Sequence, residues 1–139
     1  FTLADYSGNH EKILVVDDMD SQQKIAKNIL KRLGYQVKVV SSGEEAIAYA
    51  KENKIDLVVL DMIMDPGING FETYEQLVLI DPEIKAIITS GYSKTKDVKK
   101  AQSLGAGIYI KKPYSLEKIG LAIKNELSDR NKKNEFTQI

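Results

Sequence analysis

The chain has 139 residues, 42% of them apolar and 29% charged, and its 20 basic and 20 acidic side chains cancel. That length supports one domain burying about two-thirds of its unfolded surface, and the balanced charge argues against a nucleic-acid-binding surface. With no cysteine, disulfides and thiolate metal centres are excluded, and neither a signal-peptide pattern nor an apolar run near the roughly 18 residues of a membrane span is present.

Lys12 to Val16 (KILVV) is short, apolar and β-branched, as a buried strand requires. Ile25, Ala26, Ile29, Leu30 and Leu33 then recur at helical spacing, and Gly34 supplies a left-handed terminator. Tyr35 to Val40 reads as a second strand. Ser42-Gly43-Glu44-Glu45 is a capping-box pattern, opening a helix with Ala46, Ile47 and Ala50 on its inner stripe. Ile55 to Leu60 is a third strand that runs directly into Asp61. Beyond Asp65-Pro66-Gly67, a helix from about Gly70 carries Phe71, Tyr74, Leu77 and Val78 on one face and stops at Asp81-Pro82. Ile84 to Thr89 is a fourth strand. Ser93 caps a helix with Val98, Ala101 and Leu104 inward, closed by Gly105. Gly107 to Lys111 is a fifth strand, and Ser115 caps a last helix with Leu116, Ile119, Ile123 and Leu127, in which Gly120 carries a small helix penalty.

These five βα units have strands apolar on both faces, which implies a parallel sheet covered by helices on each side. The domain is expected to span residues 11–127. Residues 1–10 are polar and without periodicity and read as a linker or tail, as do residues 128–139. The expectation is a soluble, cytoplasmic domain with no membrane contact by this segment and no direct nucleic-acid binding.

In an open parallel sheet, ligands bind beyond the carboxyl ends of the strands. The residues there are Asp17-Asp18 after strand one, Asp61 after strand three, Thr89-Ser90-Gly91 at strand four and Lys111-Lys112-Pro113 at strand five. Singly, most have an ordinary explanation: Asp17, Asp18 or Asp20 as a helix cap, Thr89-Ser90-Gly91 as a loop start, Lys-Lys-Pro as a common pre-helix sequence. Asp61 has none, because the next helix begins too far away for it to cap. Three carboxylates gathered on one rim repel, and a divalent cation relieves that repulsion. Only oxygen donors are on offer, which selects a hard ion such as Mg2+. A lysine and a hydroxyl opposite suit the equatorial oxygens of a transferring phosphoryl group.

This set, Asp17-Asp18, Asp61, Ser90 and Lys112-Pro113 in that order, resembles the receiver domain of two-component response regulators, over about Glu11 to Leu127. The resemblance implies an α/β fold, a doubly wound, flavodoxin-like five-stranded parallel sheet in order 2-1-3-4-5. It implies a phosphoacceptor signalling domain and not an enzyme, with at most slow self-dephosphorylation. Asp61 would take a phosphoryl group from a phosphohistidine on a histidine kinase or histidine phosphotransfer domain. Asp18, Asp61 and the Ile63 backbone carbonyl would ligate Mg2+, with Asp17 acting largely through water. Lys112 is chosen over Lys111 because the family lysine precedes the proline. Ser90 is chosen over Thr89 because it lies 22 positions before Lys112. Tyr109, three residues before Lys112, matches the family's switch aromatic, with a strand residue filling the core as the lesser alternative. The output partner would read the face built by the fourth helix, fifth strand and fifth helix. Lys94, Lys96, Lys99 and Lys100 make that fourth helix basic, as a solvated face or toward an acidic partner.

The sequence departs from the family after Asp61. Met64 is in place, but Asp65 stands where the family has proline, and Gly70 falls nine positions after Asp61 where the family glycine falls eight, so the loop is one residue longer. Pro66-Gly67 suits the centre of a type II turn, and Asp65 either stabilises that turn or offers the metal a further carboxylate. Ile63 and Tyr92, two positions past Asp61 and Ser90, are bulky, and Ile63 offers no hydrogen bond to an attacking water, so a long-lived aspartyl phosphate is expected. Three alternatives stand beside the receiver. A receiver-like docking module that works without phosphorylation is opposed by the intact acidic set. A haloacid-dehalogenase-type phosphatase wants an acid where Ile63 stands. A flavin or nucleotide module wants a glycine- or hydroxyl-rich loop where Asp17-Asp18 stand. His10-Glu11 resembles a kinase's phosphorylated dipeptide but abuts strand one and reads as exposed and incidental. Phe1-Thr2-Leu3 resembles the last strand of a histidine-kinase ATP-binding domain, which points to the receiver of a hybrid kinase, with a free-standing regulator as the other reading. The residues after Leu127 are too few for a DNA-binding output domain.

Overall fold

The computed structural model describes residues 3–64, 67–91 and 96–128. Phe1, Thr2, Asp65, Pro66, Tyr92, Ser93, Lys94, Thr95 and residues 129–139, on which several of the expectations above fall, lie outside the described residues.

The apolar runs form five parallel strands, β1 (Lys12–Val16), β2 (Gln36–Val40), β3 (Leu57–Asp61), β4 (Lys85–Ser90) and β5 (Tyr109–Lys111), in the order β2-β1-β3-β4-β5. Every residue of β3 is buried because the strand is central and covered on both faces. Strand alternation divides the core in two. Leu14, Val16, Val58, Leu60 and Ile88 pack under α3 (Gly43–Glu52), α4 (Gly70–Ile80) and α5 (Lys96–Ser103). Ile13, Val15, Leu57, Val59 and Ile87 pack under α2 (Asp20–Arg32) and α6 (Leu116–Ser128). No helix among the described residues is long and apolar enough to cross a membrane.

Register positions the rim. Val16 pairs with Leu60 and Asp61 with Thr89, and the ladder extends past the strands through Asp17 N–H to Val40 O (3.2 Å), Met62 N–H to Thr89 O (2.9 Å) and Lys112 N–H to Ser90 O (2.7 Å). The chain is therefore still hydrogen-bonded to the sheet where Asp17, Asp61 and Lys112 emerge, which holds them at one level.

Local signals behave as their chemistry dictates, with two shifts. The Ser42 hydroxyl accepts from Glu45 N–H at 3.1 Å, but the Glu45 carboxylate turns to Ser41 N–H at 3.3 Å, so the reciprocal half of that box lands one residue upstream. The complete capping box belongs to α4, between Asn69 and Glu72. Ile25 and Leu104, expected on inner stripes, are about half exposed, because each sits at the margin of its helix's buried face. Gly34 adopts φ +89° at the end of α2, the left-handed conformation its position demands.

The described part of the first ten residues lies against the domain. The short helix α1 (Leu3–Tyr6) rests on α6, where Lys124 Nζ donates to Asp5 O at 3.1 Å. Gly120 leaves the room for it: a Cβ there would stand 3.0 Å from Tyr6 Cβ and 3.1 Å from Leu33 Cδ1. Gly8 N–H then donates to Leu33 O (2.7 Å) and His10 N–H to Gly34 O (2.9 Å), and Gly8 lies over the Tyr35 ring, where any side chain would collide. His10 is exposed.

Tyr35 is buried and its hydroxyl has no hydrogen-bond partner among the described residues. Burial, with the Glu11 charge adding to it, pushes that phenol up to about 12. Leaving a buried hydroxyl unsatisfied costs about 1–3 kcal/mol. Tyr35→Phe is therefore expected to raise stability by about 1 kcal/mol, seen as a higher urea midpoint at unchanged slope. A lower midpoint would show that the hydroxyl is satisfied in solution.

Candidate functional site

At the carboxyl rim of β1 and β3, Asp17 and Asp61 are each only 5% exposed, while Asp18 faces solvent. One carboxylate oxygen from each of the three lies within 4.8 Å of the others. Lys112 Nζ stands 2.6 Å from Asp17 Oδ2 and 3.4 Å from Asp61 Oδ2. Lys111, its neighbour, points to solvent.

The three acids are held differently. Asp17 is fully engaged: Oδ2 meets Lys112, Oδ1 accepts from Met19 N–H at 3.0 Å, and its carbonyl accepts from Gln23 Nε2 at 2.6 Å. Gln23 also donates to Ser41 Oγ at 3.0 Å, tying the loop after β1 to the loop after β2. Asp61 has only long contacts, Lys112 at 3.4 Å and Ile63 N–H at 3.5 Å to Oδ1. Burial pushes its carboxyl up to about 6 from an ordinary value of 3.8; Lys112 pulls it down, and the Asp17 charge adds to the rise. Asp61 thus remains ionised near neutral pH but is a more basic carboxylate than a surface aspartate.

The site opens into a cleft of about 540 Å3 lined by Asp18, Met19, Asp61, Ile63, Gly91 and Lys112. Ser90 is buried at the end of β4 and bonded through its carbonyl to Lys112 N–H, while Thr89 is the register partner of Asp61. Tyr109 is half-buried and packs against the core beneath α3, α4 and α5, away from the cleft. Ile63 is 43% exposed at the cleft mouth.

Two groups carry no motif and emerge only here. Gln23 is the bridge just described. Tyr114 packs against the core under α2 and α6, and its phenol is pushed up to about 12 by burial and then by the charges of Asp17 and Asp61. Gly70, which stands for the family glycine one position late, abuts β3: a Cβ on it would lie 2.4 Å from Asp61 O, and its N–H donates to Met62 O at 3.0 Å.

The donors are all oxygens, close enough to share one hard cation, and an ammonium stands against two of them at the edge of a cleft, so fold and site define a phosphoacceptor domain. Residues 13–124 match the model of the response regulator receiver domain, and the chain belongs to that family. It is 31% identical over 118 residues to sporulation initiation phosphotransferase F of Bacillus subtilis, covering 85% of this chain and 94% of that protein. Among solved structures, a CheY-like response regulator receiver domain from Methanospirillum hungatei JF-1 superposes with a TM-score of 0.83 at 27% identity, covering 90% of this chain and 99% of that one. The CheX–CheY–BeF3–Mg2+ complex from Borrelia burgdorferi matches with a TM-score of 0.79 at 27% identity, over 85% of this chain and 90% of that one. The chain is a phosphorelay phosphoacceptor of this fold, and the docking-module and phosphatase alternatives are not favoured.

The raised Asp61 carboxyl gives a pH signature in metal-free protein. Between its ordinary pKa of 3.8 and about 6, the folded state holds a proton that the unfolded state has lost, so stability falls as pH rises through that window. Asp61→Asn is expected to remove this fall and to be more stable than the parent above about pH 6, with the difference closing toward pH 4. Parallel denaturation curves across that range would show no convergence if burial did not set the pKa.

Proposed function

We propose that Asp61 is the acceptor atom's owner and that the donor is a phosphohistidine on a partner kinase or phosphotransfer domain. The supporting observation is the unequal engagement of the three acids. A nucleophile here needs an oxygen free of short contacts, a place beside the cleft and a lysine near enough to meet the phosphoryl charge; Asp17 is tied down, Asp18 lacks the lysine, and of the three acids Asp61 meets all three conditions. An Asp61 oxygen attacks phosphorus in line, the P–N bond to the imidazole breaks as the P–O bond forms, and an acyl phosphate results. Lys112 balances the charge spread over the phosphoryl oxygens. Asp18, Asp61 and the Ile63 carbonyl are the residues to hold Mg2+ directly, with Asp17 through water; when bound, the ion neutralises charge on the phosphoryl group.

In this reading the Ser90 hydroxyl turns to the new oxygens and Tyr109 follows into the space it leaves. The surface of α5, β5 and α6 changes shape, and an output partner binds the altered state. Leu104, Ile108 and Leu121, on or beside those elements, are each about half exposed and suit a protein partner.

Incubation with acetyl phosphate and Mg2+ is expected to add one phosphoryl group by intact mass, labile to hydroxylamine and absent in Asp61→Asn. An adduct that persists in Asp61→Asn would move the acceptor elsewhere. Ile63→Asn, which places an amide at the cleft mouth to orient water, is expected to speed loss of that adduct severalfold; an unchanged decay would mean that Ile63 does not set its lifetime.

A further inference from the structure

The loop between β3 and α4 is one residue longer than the receiver pattern, yet its far end is anchored at three successive amides. Ile68 N–H donates to Glu44 Oε2 at 3.2 Å, Asn69 N–H to Glu72 Oε1 at 3.0 Å, and Gly70 N–H to Met62 O at 3.0 Å. Met62 lies between Asp61 and Ile63, so the last of these bonds fixes the backbone that carries the acceptor. Glu72 is local, three residues along in α4. Glu44 is not: it reaches over from the first turn of α3, 24 residues away in sequence.

The contact is built on both sides. Gly43, the preceding residue, has no side chain where one would collide with the Ile68 side chain and Thr73 Oγ1, so α3 closes directly onto the loop. Gly67 adopts φ +106°, and a Cβ there would stand 2.9 Å from both Glu44 carboxylate oxygens. Two glycines thus clear the space in which one carboxylate grips the loop. No step proposed for phosphoryl transfer uses Glu44.

We propose that Glu44 is a positioning residue for the phosphoacceptor site: its carboxylate latches the extended loop at Gly67–Ile68 and thereby holds Met62 and Ile63 in the geometry that presents Asp61 and the Ile63 carbonyl to a divalent cation. The inference rests on the reading of Asp61 as acceptor with Mg2+. Groups bonded directly to metal ligands change metal affinity about 10–100-fold when removed, and Glu44, acting one step further out through the loop, belongs at the lower end of that range.

The test compares the parent with Glu44→Ala, Glu44→Gln and Gly67→Ala. In metal-free protein, hydrogen exchange read by NMR is expected to quicken at Ile68, Asn69 and Gly70 in Glu44→Ala while the amides of β1 stay protected. Mg2+ titration by calorimetry is expected to weaken by about tenfold. Glu44→Gln keeps an oxygen to accept from Ile68 and is expected to restore most of both; Gly67→Ala displaces the carboxylate from the other side and reproduces Glu44→Ala. Parent-like exchange and Mg2+ affinity in Glu44→Ala overturn the proposal, as does a loss of protection spread equally over β1 and the loop. If the parent itself neither binds Mg2+ nor takes a phosphoryl group from acetyl phosphate, the reading of Asp61 fails instead, and the exchange data still report whether Glu44 holds the loop.

Discussion

One ammonium group holds the two buried acids of the rim together. Lys112 stands between Asp17 and Asp61, two carboxylates brought together by strands that have no freedom to separate. Like charges at such separation are tolerated only with a cation between them. The contacts are unequal, short to Asp17 and long to Asp61, so one acid is tied into the rim and the other keeps its oxygens open to the cleft. The ladder bonds that run past the strand ends hold that arrangement in place.

The elements were legible because each obeys a simple period. Val58 and Leu60 alternate with Leu57 and Val59 between two cores, and the shortness of such a run, its turn-forming flanks and its β-branched residues mark it as a central parallel strand. The order of strands was not in that pattern; it came from the resemblance carried by Asp17-Asp18, Asp61, Ser90 and Lys112. The acidic site was readable for the same reason that it is rigid, namely that strand ends in a parallel sheet must converge on one edge.

What escaped the sequence was long-range and backbone-directed. Gln23 bonds a carbonyl and a hydroxyl on two different loops, and no periodicity marks a glutamine that does so. Glu44 stood as a spacer inside the Ser42–Glu45 helix-start pattern, with no role of its own, whereas its carboxylate serves an amide of another loop. The described residues before β1 lacked periodicity because most of their hold on the domain runs through backbone groups and through the space left at Gly120, with the single side chain of Tyr6 packed on the core. Interactions of this kind depend on the fold being present and leave no local trace.

That docking sets the segment leading into β1 against the last helix. Asp5 is bonded to Lys124, and Ser128 lies about one turn further along α6. A domain entered and left along one helix can be spliced into a loop of another protein without stretching either partner.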